Sequence, residues 1–144
     1  MRDNVARMTF RMPITPRYME IDSQGVVFNG WYLTWFDEAM AAFLTDRGLS
    51  YPELIKLGFD VHVVRSEIDY KAGVRWGDDV AVAVSTGRIG NTSFALDFQV
   101  VRGEEVCIAG RNVYVTVAAD FSGKVPVPPQ LRDVLGEPAP LLPA

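Results

Sequence analysis

The chain has one cysteine, Cys107, and one histidine, His62, in 144 residues. A lone cysteine builds neither a disulfide framework nor a thiolate metal site, and a lone histidine outside any cluster of acids or thiols supplies no ligand set. The residues therefore predict no metal. His62 would have to serve any Ser-His-Asp or Cys-His triad, and nothing beside it resembles an activated nucleophile, so it reads as a strand-edge side chain. Cys107, between Val106 and Ile108, reads as a small core side chain. No glycine pattern of the dinucleotide or phosphate-loop kind occurs.

Positive charge is also scarce. Lysine and arginine number 14 against 18 acids, for a net charge of −4. That balance argues against a sequence-independent nucleic-acid binder, which needs a clustered basic surface. It leaves open an anionic small ligand held by a few converging arginines. No apolar run is long enough to span a bilayer, and residues 1–8 have no apolar h-region, so neither membrane insertion nor secretion is expected and the expected location is cytoplasmic.

What is present is ordinary for a globular protein: 49% hydrophobic and 22% charged residues. The length suits a single domain over residues 1–144 with a sizeable core, of which 126–144 form a proline-rich extension.

The pattern centres on residues 17–41, RYMEIDSQGVVFNGWYLTWFDEAMA. No proline interrupts residues 30–47, and Trp31, Leu33, Trp35, Phe36, Ala39, Met40, Phe43 and Leu44 cover most of a helical wheel. Thr34, Asp37, Glu38 and Thr45 make the only polar stripe. This spacing predicts a core helix, with Asn29 as N-cap and Gly48 as its left-handed stop. Ser50 with Glu53 forms a capping-box pattern for a short second helix that Gly58 ends.

Elsewhere the period is two. Phe10, Met12 and Ile14 predict a first strand that Pro13 pushes to a sheet edge. Four further strands follow around Val64 to Tyr70, Val80 to Val84, Phe94 to Val100 and Val113 to Val117. Turns at residues 76–79, 90–91 and 102–105 predict an antiparallel meander, because parallel crossovers need a dozen or more residues. The class is α+β, a curved sheet wrapped around one long helix. One helical turn is expected near Gln130 to Leu135, followed by a loose or packed-down tail over 138–143. Asp78 and Asp79, adjacent at a turn, read as solvated.

Asp22 is the candidate for chemistry. It sits in a loop just before Gly25 and the apolar Val26, Val27 and Phe28, and that loop runs into the start of the helix, whose free N–H groups and positive dipole end suit a carbonyl oxygen gaining charge. A desolvated carboxylate there can act as general base on a water or attack an acyl carbon itself. The competing reading is a turn or capping acid.

The stretch from Tyr18 to Tyr32 resembles the signature of the 4-hydroxybenzoyl-CoA thioesterase-like acyl-CoA thioesterases of the hotdog fold. Its elements are an aromatic residue, two acids separated by one residue, a glycine three past the second acid, and a tyrosine in the first helical turn. Similarity continues in Ile68-Asp69-Tyr70, Trp76-Gly77-Asp78, Gly90-Asn91-Thr92-Ser93 and Ser122-Gly123-Lys124, so it covers nearly the whole chain.

The resemblance implies a thioester hydrolase acting on an acyl-CoA, with Asp22 as catalytic carboxylate. It implies a carbonyl polarised by N–H groups near Phe28, Asn29 and Gly30, with Tyr18 as an aromatic hydroxyl near the acid. Gly25, Val27, Phe28, Gly30 and Tyr32 are then expected around the substrate. The coenzyme A phosphates need cations, and of Arg75, Arg88 and Arg111, each of which otherwise reads as a solvated surface arginine, Arg88 is the one named for that role. No cofactor is expected beyond the coenzyme A thioester itself as substrate. The resemblance further implies a homodimer or homotetramer with sites between subunits. Glu20 stands where the family's first acid is usually aspartate. The alternative on the same fold is a non-catalytic acyl-thioester binding module.

Overall fold

The computed structural model describes residues 9–141. The readings given above for residues 1–8 and for Leu142 and Pro143 lie outside the described residues. In order, the elements are β1 (Phe10–Ile14), a 3-10 turn (Tyr18–Glu20), helix α1 (Trp31–Asp46), helix α2 (Tyr51–Lys56), β2 (Phe59–Tyr70), β3 (Val80–Ile89), β4 (Ser93–Arg102), β5 (Glu105–Ala118) and helix α3 (Pro129–Leu135).

The strands form one antiparallel sheet in the order β1-β3-β4-β5-β2. As expected, β1 lies at an edge, where Pro13 removes no needed ladder bond. The β3-β4-β5 meander also follows the turn signals. The expected place of β2 beside β3 does not hold, because β2 pairs with β5 at the opposite edge. The physical reason is the length of the link. Residues 71–79 span up to ~30 Å at 3.3 Å per residue, about twice the ~14 Å needed to pass three strand spacings of ~4.8 Å. The turn at its end marked only where it re-enters the sheet.

Helix α1 lies across one face of the sheet. Trp35, Phe36, Ala39 and Phe43 are fully buried, and Phe36 stacks on Phe98 of β4 at 4.5 Å between centroids. Gly110 of β5 allows this approach, since a Cβ there would lie 2.6 Å from Phe36 Cε2 and 2.8 Å from the Glu67 carbonyl oxygen. Gly110→Ala should therefore destabilise the fold by about 1–3 kcal/mol through overpacking. The reading is a lower urea midpoint at unchanged slope; an unchanged midpoint would mean that the Phe36 ring has room to shift.

Helix α1 stops at Gly48, φ +96°, as its sequence predicts, and Ser50 and Glu53 form the reciprocal capping box of α2, which Gly58 ends at φ +94°. Its start differs from expectation. Gly30 is the N-cap, and no side chain caps the helix, Asn29 included. Residues 28–31 form a turn, closed by the Trp31 N–H on the Phe28 carbonyl at 3.0 Å, which runs straight into the helix and leaves Asn29 one position too early to cap it.

Strand β2 carries a bulge between Val63 and Arg65 that resets which side chains face α1. Before it Phe59 and Val61 pack inward; after it Ile68 does, and Ser66 bonds Asn112 of β5. Helix α3 docks through Leu131 and Leu135, both fully buried, and Arg47 donates to the Val134 and Leu135 carbonyls at 2.8 and 2.9 Å. The tail after it is packed down, with the Ala139 N–H on the Thr86 carbonyl. Cys107 is buried and free, and His62 stacks on Phe121 from the edge strand β2. Among the described residues no helix is long and apolar enough to cross a membrane, and no group of three or more His, Cys, Asp or Glu could hold a metal.

Candidate active site

Residues 21–27 form a miniature hairpin. The Asp22 N–H donates to the Val26 carbonyl at 2.9 Å, the Gly25 N–H to the Asp22 carbonyl at 3.0 Å, and Ile21 bridges to Val27. Gly25 adopts φ +80°, which a Cβ would strain, so the glycine three past the acid is a requirement of the turn. The Asp22 carboxylate is half-buried, and its Oδ1 accepts the Gln24 N–H at 2.8 Å. That bond fixes one oxygen in an Asx turn.

The hairpin leans on the 71–79 link. The Val27 N–H donates to the Val74 carbonyl at 2.8 Å, Val26 bridges to Arg75, and Val26 Cγ1 would lie 2.8 Å from a Cβ at Gly73. The link is braced in turn. Lys71 and Ala72 N–H groups share the Cys107 carbonyl, and Arg102 donates to Asp78 Oδ2 at 2.7 Å and to the Gly73 carbonyl at 3.0 Å. Asp78 also accepts the Arg75 N–H, and that bond, with Arg102, holds its carboxyl below the usual range. Asp78 is thus a structural pin rather than a solvated turn residue.

These pieces enclose a cleft of about 350 Å³. The hairpin contributes Asp22, Gln24, Val26 and Val27, and the approach to α1 contributes Asn29 and Tyr32. The opposite wall is Tyr70 of β2 with Lys71, Ala72 and Gly73 of the link, and Ile108 of β5 also lines it. Tyr32 is buried, and burial pushes its hydroxyl up to about 12, with a backbone hydrogen bond at Val74 acting in the opposite sense. It stays protonated at neutral pH and cannot serve as a base. A depression of similar size on the sheet's other face, between Glu67, Asp69 and Arg111, offers no comparable chemistry, because Arg111 is committed to Asp97 at 2.6 and 3.1 Å.

Of the residues singled out from the sequence, the cleft gathers Asp22, Val27, Asn29 and Tyr32. Gly25 shapes the hairpin behind it. Phe28 is 51% exposed and its N–H is taken by the Glu20 carbonyl at 2.8 Å, so it is no free donor for an acyl oxygen. Among the described residues nothing accepts the N–H groups of Asn29 and Gly30. Tyr18 does not line the cleft; it is 82% exposed and meets Trp76 edge-on. Arg88 lies toward the far end of β3, eight residues or roughly 26 Å of strand beyond Val80, where the link enters. Sequence reasoning missed Tyr70, Lys71 and Gly73. The available signal was the break from strand alternation into Lys71-Ala72-Gly73 directly after the matching Ile68-Asp69-Tyr70.

Comparison with known proteins identifies the family. The family model of the thioesterase superfamily matches residues 24–109. A protein of Synechocystis named as an esterase is 29% identical over 115 residues, covering 78% of this chain and 69% of its own. A 1,4-dihydroxy-2-naphthoyl-CoA hydrolase of Synechocystis is 26% identical over 112 residues, 76% of this chain and 81% of its own. The solved structure of a gentisyl-coenzyme A thioesterase superposes with a TM-score of 0.80 at 24% identity, covering 88% of this chain and all of the other. Among the described residues one long helix lies across a five-stranded antiparallel sheet, and the family model covers more than half of the sequence: the chain belongs to the thioesterase superfamily, as a thioester hydrolase of the hotdog fold.

Proposed function

We propose that the chain hydrolyses an acyl-coenzyme A thioester to the free acid and the thiol, with Asp22 as general base or nucleophile and the N–H groups of Asn29 and Gly30 polarising the carbonyl. The observation that carries this reading is that Asp22 and Asn29 line one cleft, while the donors at residues 29 and 30 have no acceptor among the described residues. A thioester entering there would have a carboxylate and, beginning at Asn29, unpaired N–H groups within the same site, the two components that acyl transfer uses.

Tyr32, Tyr70 and Ile108 give the acyl group flat and apolar walls, and two similar proteins are named for aromatic acyl-coenzyme A substrates. Aromatic acyl-CoAs should therefore turn over faster than long straight-chain ones. Lys71 at the cleft is a better placed cation for a coenzyme A phosphate than Arg88. A thiol-release assay across aromatic and aliphatic acyl-CoAs tests the reading. Tight binding without thiol release across the whole panel would instead mark a binding module on the same fold.

The site is proposed to lie between subunits of a cytoplasmic homodimer or homotetramer. Strand β2 is a twelve-residue edge with Val63, Val64 and Tyr70 43%, 57% and 53% exposed, and Leu33 lies open on α1. A long edge of that kind invites a second copy. Light scattering at micromolar concentration should give a mass of two or four chains; a monomer that still hydrolyses acyl-CoA would refute the shared site.

A further inference from the structure

Glu20 is the most completely buried charged side chain near the site, at 0% exposure, and the chemistry at Asp22 does not use it directly. Its carboxylate accepts three donors. Oε1 takes the Arg17 N–H at 2.7 Å, and Oε2 takes Arg17 Nη2 at 2.6 Å and the Trp35 indole Nε1–H at 2.8 Å. Burial pushes the Glu20 carboxyl up, but the hydrogen bonds from Arg17 and Trp35 outweigh it and leave it below the usual range. It is a carboxylate at neutral pH, and each bond to it is charge-assisted.

The backbone of the same residue closes the base of the Asp22 hairpin, because its carbonyl accepts the Phe28 N–H at 2.8 Å. Trp35 belongs to the second turn of α1, the helix whose approach carries the unpaired N–H groups of Asn29 and Gly30. One residue therefore holds the hairpin by its main chain and the helix by its side chain.

We infer that Glu20 is a positioning residue for thioester hydrolysis, tying the Asp22 hairpin to α1 so that the acid and the helix-start donors keep one fixed separation. The inference rests on the reading of Asp22 given above. Its force comes from geometry, since a misplacement of about 1 Å in a reacting group can cost on the order of 10²-fold in rate. The hairpin's own bonds set its shape. They leave its distance from α1 to Glu20 and to the Val26 and Val27 contacts with the link.

In Glu20→Gln the amide NH2 must replace one carboxylate oxygen and face a donor, either the Arg17 N–H or the pair from Arg17 Nη2 and Trp35 Nε1. The expected result is a fall in kcat on the order of 10²-fold, with KM within threefold and the protein folded. Hydrogen exchange at the Phe28 amide and the Trp35 indole should quicken about tenfold, while Lys71 and Ala72, bonded to Cys107 on the opposite wall, stay unchanged. Leu131→Ala, a core truncation in α3, provides a variant of lowered melting temperature that should keep wild-type kcat. Arg17→Met serves if Glu20→Gln does not fold, since Arg17 is 58% exposed and its loss removes only one of the three donors; it should lower kcat about tenfold.

The proposal is overturned if Glu20→Gln, or Arg17→Met in its place, keeps kcat within threefold of wild type. It is overturned equally if the variant loses no more kcat than Leu131→Ala does, or if exchange at Phe28 and Trp35 is unchanged. A near-normal Asp22→Asn enzyme would refute the role of Asp22 instead, and the exchange readout still decides whether Glu20 ties the hairpin to the helix.

Discussion

Asp22→Asn should bind acyl-CoA with nearly wild-type KM and lose ~10²–10⁴ in kcat, the usual worth of general-base assistance, or more if the carboxylate attacks the acyl carbon itself. The structure makes this substitution unusually clean. Asp22 Oδ1 accepts the Gln24 N–H at 2.8 Å, a bond that an asparagine side-chain oxygen makes equally well in an Asx turn. The hairpin's other bonds run through the backbone, from Asp22 to Val26 and from Gly25 to Asp22, and do not depend on the charge. The melting temperature should therefore stay within a few degrees. What the variant loses is the anionic oxygen that would deprotonate a water or form an acyl-enzyme bond. The measurement is kcat and KM on the best acyl-CoA substrate, beside a thermal melt. A variant that retains more than about a tenth of wild-type kcat, where loss of a general base should cost at least ~10², would remove Asp22 from the chemistry and leave it a turn residue.

The parts of the fold legible in the sequence were those governed by local periodicity and local caps. Strand β1, helix α1 with its stop at Gly48, the Ser50–Glu53 box and the β3-β4-β5 hairpins all follow from signals within a few residues of one another. The position of β2 did not follow. Alternation identifies a strand but not its neighbour, and a nine-residue link is long enough to cross the end of the sheet. The bulge at Val63 was hidden for a related reason, because a single extra residue reverses the side-chain parity without changing composition.

At the site the same division holds. Asp22, Gly25 and the helix start lie within ten residues, and their relation could be read from spacing. Lys71, Gly73 and Ile108 come from distant segments joined only by the sheet. Glu20 looked like a departure within an acid pair, and only the fold reveals that Trp35 and Arg17 converge on it. Arg88 illustrates the converse limit: a cation near a strand end suggests a ligand, and within one chain the register places it at the end of β3 away from the link.

Asn29→Pro should reduce kcat by ~10²–10³, the usual cost of losing one oxyanion donor, while leaving stability close to wild type. Position 29 is the second residue of the turn that Trp31 closes on Phe28, and Gly30 after it has helical φ −68° and ψ −23°. Proline is favoured at that second position, where its fixed φ matches the turn. No hydrogen bond of the fold is lost, because nothing among the described residues accepts the Asn29 N–H. The Asn29 carbonyl, which meets the Tyr70 hydroxyl at 3.5 Å, remains. The side chain makes no cap, so its removal costs α1 nothing there. The substitution thus deletes one N–H that no acceptor among the described residues engages, and little else. Asn29→Ala is the matched control: it also removes the side chain but keeps the N–H, and it should retain most of the activity. If both variants are equally impaired, the carboxamide is what matters at position 29. If Asn29→Pro turns over at a near-normal rate, the acyl oxygen is held elsewhere and the helix start is not the oxyanion site.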